Sequence, residues 1–315
     1  MNSALLEIDH GRANHLIDPS LHIWGWEVPV YLFLGGLVAG LMILGPALEL
    51  RTKTRSQALQ HVPLLAAILL SLGMGALFLD LEYPLHVYRF YLTLQPTSPM
   101  SWGSWILMGV YPVLILAWLS GLGGRAAAQV HRLPLVQGLG DWGRRNRALL
   151  LWTSLALGIG LGTYTGLLLG TMAARLQWNT AVLGPLFLVS GTSTGAALLL
   201  LLGPEEDRKS LLVRWDSVAI LVELSLIVLM LFGFQSSGEA GHFAAAALLG
   251  GEWTPWFWSL VVIAGLLVPL SLNLVELRRH LPMTRVAPAL VLFGGLALRF
   301  ILVSAGQESS FASLP

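Results

Sequence analysis

Long apolar stretches separated by short polar connections dominate the hydrophobic pattern of this protein. Eight such stretches are present, and they run over Val28–Leu50, Val62–Leu81, Trp102–Gly123, Ala148–Gly170, Thr180–Gly203, Leu212–Phe234, Trp256–Glu276 and Val286–Ala305. Each is long enough to cross about 30 Å of hydrocarbon as a helix. A single long segment in lipid has no other way to satisfy its backbone hydrogen bonds. The pattern therefore predicts an all-α integral membrane protein with eight transmembrane helices.

The composition agrees with a polytopic membrane protein. Of the 315 residues, 55% are hydrophobic and only 11% are charged, and the mean hydropathy is +0.72. A soluble domain carries about 25% charged residues. No polar stretch is long enough for a separate soluble domain, so we expect a tail at 1–27, helical regions at 28–170 and 180–305, and a tail at 306–315. The first tail lacks a basic n-region and an apolar h-region, so no cleaved signal peptide is expected.

Two classes of redox centre are disfavoured. The sequence has no cysteine, which excludes disulfides, thiolate-held iron–sulfur clusters and cysteine zinc sites within it. Its eight histidines all fall in tails, in connections or at the ends of apolar segments, and they are His10, His15, His22, His61, His86, His131, His242 and His280. Haem iron is usually held by axial His, Met or Cys. Because no histidine lies in mid-span, the sequence predicts no bound haem.

The distribution of Lys and Arg predicts the orientation. Fourteen of the eighteen lie in the first, third, fifth and seventh connections: Arg51, Lys53, Arg55, Arg125, Arg132, Arg144, Arg145, Arg147, Arg208, Lys209, Arg214, Arg278, Arg279 and Arg285. The other side has only Arg12, Arg89, Arg175 and Arg299. Basic connections stay in the cytoplasm. Both termini are therefore expected outside, in the periplasm, with the protein in the inner membrane of a Gram-negative bacterium.

The first and fifth apolar segments resemble each other. Leu32–Gly36 with Gly40 in one matches Leu186–Gly191 with Gly195 in the other. Both segments run from outside to inside, which suggests two parallel four-helix bundles related by an axis along the membrane normal. The small residues of these segments also favour close packing between helices.

A few ionisable and amide side chains lie inside or at the inner ends of the apolar segments. They are Glu223 and Arg299 within the sixth and eighth segments, with Glu49, Asn273 and Glu276 at inner ends. Such residues are costly in a membrane and are candidates for function. For Glu223, a proton relay and a structural hydrogen bond to a neighbouring helix are both open. For Glu49 and Glu276, an interfacial charge beside nearby arginines is the competing and favoured interpretation.

Other polar side chains gather at the outer ends of the helices. They are Glu27, Tyr31, Tyr164, Asp80, Arg89 and His22. Glu27 and Tyr31 are four residues apart and therefore share one helix face. Phenol, carboxylate and imidazole groups beside an apolar slot can hydrogen-bond the two oxygens of a quinone and move its protons. The alternative is an aromatic belt for the tyrosines and ordinary helix-end polarity for the acids.

Short motifs along the sequence resemble those of the polysulfide-reductase membrane-subunit family, also known as NrfD-like. They are LFLGGLVAG at Leu32–Gly40, LDLEYP at Leu79–Pro84, SPMSWGSWIL at Ser98–Leu107, YTGLLL at Tyr164–Leu169, WNTAVLGPLFLVSG at Trp178–Gly191 and GGLALRF at Gly294–Phe300. The motifs SPMSWG and YTG followed by WNT are the specific ones. Together they span nearly the whole chain in order.

This resemblance implies a haem-free subunit with two four-helix bundles and a quinone site near the outer face. It implies that Tyr164 contacts the quinone, that Glu27 and Tyr31 lie where polar quinone contacts are placed, and that Asp80 matches the aspartate of an Asp-Leu-Gly-Arg/Lys-Pro motif. The sequence departs from that motif, because Glu82 and Tyr83 stand where a small residue and a base are usual. This departure affects the role of the whole loop in docking and proton handling.

The expected function is therefore a quinone-reactive membrane anchor of a respiratory oxidoreductase. It would bind menaquinone or ubiquinone and exchange electrons with a periplasmic four-cluster iron–sulfur subunit, which is joined to a catalytic, molybdopterin-dependent subunit. Asp80 and Arg89 would handle protons at the quinone. A proton route would use Glu223, Arg299, Asn273, Glu276 and Glu49. An ion-coupled transporter and a purely structural anchor are the alternatives, and no nucleic-acid partner is expected.

Overall fold

The computed structural model describes residues 24–81, 83–122, 134–172, 175–279 and 284–309. Eight helices in this part of the chain are long and apolar enough to cross a membrane. We number them α1 Glu27–Thr52, α2 Val62–Leu79, α3 Pro99–Leu119, α4 Arg147–Gly170, α5 Leu183–Leu201, α6 Glu206–Gln235, α7 Thr254–Arg279 and α8 Val286–Glu308. Each contains the centre of one predicted apolar segment, so the prediction of eight transmembrane helices agrees with the described fold.

Two helices begin earlier than their apolar segments predicted. Helix α3 begins at Pro99 rather than Trp102, because proline fits the first turn of a helix, where its missing N–H is not needed. Helix α6 begins at Glu206 rather than Leu212, and its first turn carries Glu206 and Asp207. Acidic side chains stabilise that end of a helix. The apolar pattern therefore marks the lipid-buried part of α6 and misses its polar first turns.

Three further helices lie outside the spans. They are Arg89–Leu92, Pro134–Arg145 and Gly238–Leu249. The middle of α7, Phe257–Leu267, is wound as a π-helix. None of these features was predicted, because apolar runs of spanning length do not reveal short helices or a change of helix type.

Helices α1 and α5 form the centre of the bundle and touch along glycines. A Cβ atom added at Gly195 would lie 2.7 Å from the carbonyl carbon of Gly40, and one added at Gly191 would lie 2.6 Å from the carbonyl oxygen of Gly36. Only glycine lets two backbones approach so closely. The prediction that these small residues serve helix packing is confirmed.

The helix contacts connect the two halves of the chain extensively. Helix α1 packs against α2, α4, α5 and α8, and α5 packs against α1, α4, α6 and α8. Within the halves, α3 packs on α4 and α7 packs on α8. Because α1 contacts α5 as extensively as it contacts α2, the division into two four-helix bundles stays a prediction.

The basic connections meet at one end of the bundle, which we name the basic end. The Nη1 of Arg55 donates to the backbone oxygen of Ser120 at 2.9 Å, and the Nη2 of Arg208 donates to that of Thr54 at 2.7 Å. These contacts join the first, third and fifth connections. The grouping of basic connections that the charge pattern predicts is thus present in the fold.

The two described ends of the chain meet at the other end of the bundle, which we name the opposite end. Trp24 stacks on Trp178 with ring centroids 5.3 Å apart, and its backbone N–H donates to the Oε1 of Gln307 at 2.7 Å. The backbone N–H of Leu176 donates to the oxygen of Ser309 at 2.9 Å. Residues 24 and 309 therefore lie on one side of the bundle, and their assignment to the periplasm stays a prediction.

Candidate functional site

A pocket of about 370 Å³ lies at the opposite end, among α1, α2, α3, α4 and the segment that follows α2. It is lined by Tyr31, Met74, Gly75, Leu77, Phe78, Leu81, Val87, Phe90, Tyr91, Met100, Gly103, Ser104, Leu107 and Tyr164. The lining is mostly apolar, and three tyrosines supply most of its polar groups. A mostly apolar cleft with a few placed polar groups is typical of small-molecule sites.

The three tyrosines come from three different parts of the chain. Tyr31 is in the second turn of α1, Tyr164 is near the end of α4, and Tyr91 is in the short helix Arg89–Leu92. Tyr164 and Tyr91 both lie close enough to Tyr31 to interact with it electrostatically. Burial, with a smaller contribution from Tyr111, raises the pKa of Tyr91 above its ordinary value. The phenol of Tyr91 therefore stays protonated and able to donate a hydrogen bond near neutral pH.

The ring of Tyr164 lies directly against the backbone of α3 at Gly103. A Cβ atom at Gly103 would overlap the ring carbons and the hydroxyl oxygen of Tyr164. Tyr164 also borders a second, lipid-facing groove of about 910 Å³ between α3 and α4, lined by residues such as Trp102 and Leu167. Gly103 thus supplies the space that holds Tyr164 between the pocket and the groove.

The other residues predicted for this site are not among the lining residues. Glu27 is half-buried at the start of α1, where its carboxylate lies beside Gly25. Asp80 directly follows α2, and Arg89 is exposed at the start of the short helix that carries Tyr91. His22 falls outside the described residues. The fold therefore brings together Tyr31 and Tyr164 of the predicted set, and adds Tyr91 and Gly103, which sequence reasoning missed.

The described part of the chain offers little to a metal ion. Its histidines, His61, His86 and His242, all lie outside the eight spans. Among the described residues, no group of three or more His, Asp or Glu side chains is placed to hold a metal.

A second polar group is buried in the bundle where α5, α6 and α8 meet. Arg299 of α8 is 1% exposed, and its Nη1 donates to the Oγ of Ser190 at 2.5 Å. Its Nη2 donates to the backbone oxygen of Phe187 at 3.2 Å, and its guanidinium carbon lies 4.7 Å from the ring centroid of that residue. Glu223 of α6 interacts with Arg299 and is hydrogen-bonded by Ser190. The arginine and the acid are therefore joined through one serine.

Asp216 extends this group toward the basic end. It is 1% exposed, its Oδ1 accepts from the Oγ of Ser193 at 2.6 Å, and its Oδ2 accepts from the Nδ2 of Asn273 at 2.8 Å. Sequence reasoning missed Asp216. A signal was present, because Asp216 and Glu223 are seven residues apart on α6 and therefore face the same side of the helix. Ser190 and Ser193, one turn apart on α5, face them.

The two acids predicted at the inner ends lie in different settings. Both oxygens of Glu49 accept from Arg147, at 2.7 and 2.5 Å, so the interpretation of Glu49 as an interfacial charge beside an arginine is confirmed. Glu276 instead accepts from the backbone N–H and the Oγ1 of Thr284, both at 2.8 Å. Among the described residues, the Oε2 of Glu276 and the Oδ1 of Asn273, one turn away, are buried without a hydrogen-bond partner.

Comparison with known proteins gives matches over nearly the whole sequence. A family model described as "Polysulphide reductase, NrfD" matches residues 15–310. A membrane component of the polysulfide reductase of Wolinella succinogenes is 29% identical over 300 residues, which span 90% of this sequence and 94% of that protein. Protein NrfD of Escherichia coli is 30% identical over 311 residues, spanning 90% and 95%. A Halobacterium salinarum protein named as a dimethyl sulfoxide reductase membrane subunit is 27% identical over 303 residues, spanning 90% and 69%.

Proposed function

The chain belongs to the polysulphide reductase, NrfD family, and from this premise we propose that it is the quinone-reactive, haem-free membrane subunit of a respiratory oxidoreductase complex. Its place as a multi-pass membrane subunit of a reductase complex follows from the family and the eight spans. The proposed reaction with quinone is supported chiefly by the pocket of about 370 Å³ with its three tyrosines.

The pocket fits the ring of a quinone such as menaquinone or ubiquinone. Its volume lies at the lower end of the roughly 300–1,000 Å³ that small-ligand sites span. Apolar side chains such as Phe78 and Leu107 line its walls and suit a flat, apolar ring. The phenols of Tyr31, Tyr91 and Tyr164 are donors that suit the carbonyl oxygens of the ring. A bound quinone supplies two-electron, two-proton chemistry, and these residues orient it.

We place proton handling at the segment that follows α2. Asp80 directly precedes Leu81, and Arg89 directly precedes Phe90, and both Leu81 and Phe90 line the pocket. A carboxylate on such a segment is suited to pass protons between the pocket and water. Glu27 and His22, at and before the start of α1, are proposed to contribute polar contacts at the same end.

Replacing Tyr164 with Phe tests the quinone site. We expect quinone-linked turnover to fall at least tenfold, because the variant keeps the ring and loses the donor; a tenfold change corresponds to about 1.4 kcal/mol. Turnover of the assembled complex with a soluble quinol analogue is the measurement. Tyr111→Phe is the control, since Tyr111 shares a hydrogen bond with Ser71 at 3.1 Å and does not line the pocket. Unchanged turnover of an intact Tyr164→Phe complex would contradict the proposal.

The partners follow from the same proposal. The described chain ends and the pocket share the opposite end, which we assign to the periplasmic side of a bacterial inner membrane. A four-cluster iron–sulfur subunit would dock there and link the quinone to a molybdopterin-dependent catalytic subunit. Extraction in mild detergent, followed by mass spectrometry of co-purifying subunits and metal analysis, is the direct test. Iron and molybdenum in a co-purifying complex are expected, and a lone metal-free protein would favour an ion-coupled transporter.

We further propose that the buried polar group carries protons between the basic end and the middle of the bundle. From the basic end it runs through Glu276, Asn273 and Asp216, continues past Ser193 and Ser190, and ends at Glu223 and Arg299. The unpartnered oxygens of Glu276 and Asn273 support this, because buried polar atoms of this kind are ordinarily satisfied by water. Glu49, held by Arg147 at the basic end, is assigned to the mouth of the route by its position alone.

Replacing Asp216 with Asn tests the route. The amide keeps the shape of the side chain and loses the exchangeable proton, so we expect proton translocation to be abolished while quinol oxidation continues. The measurement is the pH change produced by quinol oxidation in proteoliposomes. Glu206→Gln on the same helix is the matched control, because Glu206 is exposed and pairs with Lys209. Translocation at the native ratio in Asp216→Asn would exclude this carboxyl from the route.

A further inference from the structure

The helix Pro134–Arg145, between α3 and α4, has an apolar stripe that stays uncovered by the other described parts of the chain. Leu135, Leu139 and Trp142 are spaced i, i+4, i+7 and therefore share one face. Leu135 is 76% exposed and Trp142 is 46% exposed. Large apolar side chains aligned in this way on a short amphipathic helix are typical of helices that lie in a membrane surface.

The other face of this helix is fixed against α3. Gly140 and Gly143 are its buried residues. A Cβ atom at Gly143 would lie 2.9 Å from the Cβ of Ser120 and 3.3 Å from the backbone oxygen of Leu116. Because this contact has no room for a side chain, the helix cannot turn its apolar stripe inward against α3.

The connection to α4 places the helix at the level of the membrane surface. Only Asn146 separates it from α4, whose first residue, Arg147, donates to both oxygens of Glu49 and to the Oγ of Ser120. Ser120 is the residue that Gly143 contacts. The helix is therefore seated on the group of side chains that joins the ends of α1, α3 and α4.

This end of the bundle has an excess of positive charge. Arg55 and Arg147 both approach Ser120, and Glu49 is the only acid that interacts with them among the described residues. Burial and the nearby charge of Arg147 lower the pKa of Arg55 to about 10. In the helix itself, Arg144 pairs with Asp141 at 2.5 Å. Arg145 adds a further positive charge to the same exposed turn, which suits an anionic surface.

We propose that the helix Pro134–Arg145 is an interfacial helix that binds anionic phospholipid at the basic end. Leu135, Leu139 and Trp142 insert among the acyl chains. Arg144 and Arg145, in the last turn, contact lipid phosphate groups. The glycine contact with α3 transmits this binding to the ends of α1, α3 and α4. The proposal does not depend on the quinone site, so either can fail without the other.

The depth of the helix is measurable because the sequence has no native cysteine. A nitroxide attached to Leu139→Cys is compared with one attached to Gln137→Cys, which is half-buried to exposed two residues away on the same helix. The intact complex is reconstituted into vesicles of phosphatidylcholine and phosphatidylglycerol. We expect the label at 139 to collide with oxygen and to be protected from a water-soluble nickel reagent, and the label at 137 to show the reverse. A label at 139 that is reached by nickel, or shielded from both reagents by protein, would overturn the proposal.

Lipid selectivity is tested on the arginines. After extraction from the same mixed vesicles, the lipid retained by the native complex is expected to be enriched in phosphatidylglycerol. In the double variant Arg144→Gln, Arg145→Gln, this enrichment is expected to be lost. The matched control is Arg278→Gln, Arg279→Gln, two exposed arginines at the end of α7. Equal loss in both double variants would show a general effect of basic charge and would overturn the assignment to this helix.

Discussion

Replacing Arg299 with Met is expected to destabilise the folded protein by about 3–5 kcal/mol, among the largest effects of any single substitution in this protein. The guanidinium is 1% exposed and donates to Ser190, to the backbone oxygen of Gly295 and to that of Phe187. Methionine fills part of the volume but leaves the buried carboxyl of Glu223 without its cation. Removing one partner of a buried pair costs more than the pair itself is worth, because the remaining charge stays desolvated.

A double-mutant cycle separates this effect from the loss of packing. In Arg299→Met combined with Glu223→Gln no charge of this pair remains, so we expect much of the lost stability to return. Unfolding in mixed detergent micelles, followed by circular dichroism, is the measurement. Arg214→Met, at an exposed position on α6, serves as the control and should change stability by no more than about 1 kcal/mol. If the double variant were as unstable as Arg299→Met, the pairing with Glu223 would not be the cause.

The transmembrane helices were accessible from sequence because a single physical requirement determines them. A run of apolar residues long enough to cross a membrane leaves only a helix, so all eight centres were predicted. Their ends depend on local chemistry instead, as Pro99 shows by opening α3 three residues before the predicted start. The helix Pro134–Arg145 was missed for another reason: its apolar residues are periodic rather than continuous, so they do not form an apolar run.

The candidate sites were only partly accessible from sequence. Tyr31 and Tyr164 were identified from residue chemistry and family resemblance, and the fold brings them to one pocket. Tyr91 was missed because it lies in a connection, where an aromatic residue carries no periodic signal. Asp216 becomes conspicuous only beside Asn273, which is 57 positions away in sequence. Contacts of that kind depend on how helices cross, and the apolar pattern does not determine the crossing.

Replacing Gly103 with Ala is expected to lower quinone-linked turnover about 100-fold while leaving the complex assembled. The added methyl group would occupy the space of the Tyr164 ring, so the phenol must move away from α3. A displacement of about 1 Å in a positioned group is enough to cost two orders of magnitude. Turnover with a quinol analogue measures the loss, and the affinity for an inhibitory quinone analogue should fall with it if Tyr164 holds the ring.

Gly160→Ala is the matched control for this experiment. Gly160 lies one turn before Tyr164 on α4 and faces α3, but a methyl group there would meet only Ile106 at an ordinary 3.7 Å. Turnover near the native level is therefore expected. Since both variants add one methyl group between the same two helices, a difference between them reports on the position of Tyr164 rather than on helix packing. Equal activities would mean that the ring position against Gly103 has no part in quinone chemistry, even if Tyr164→Phe is impaired.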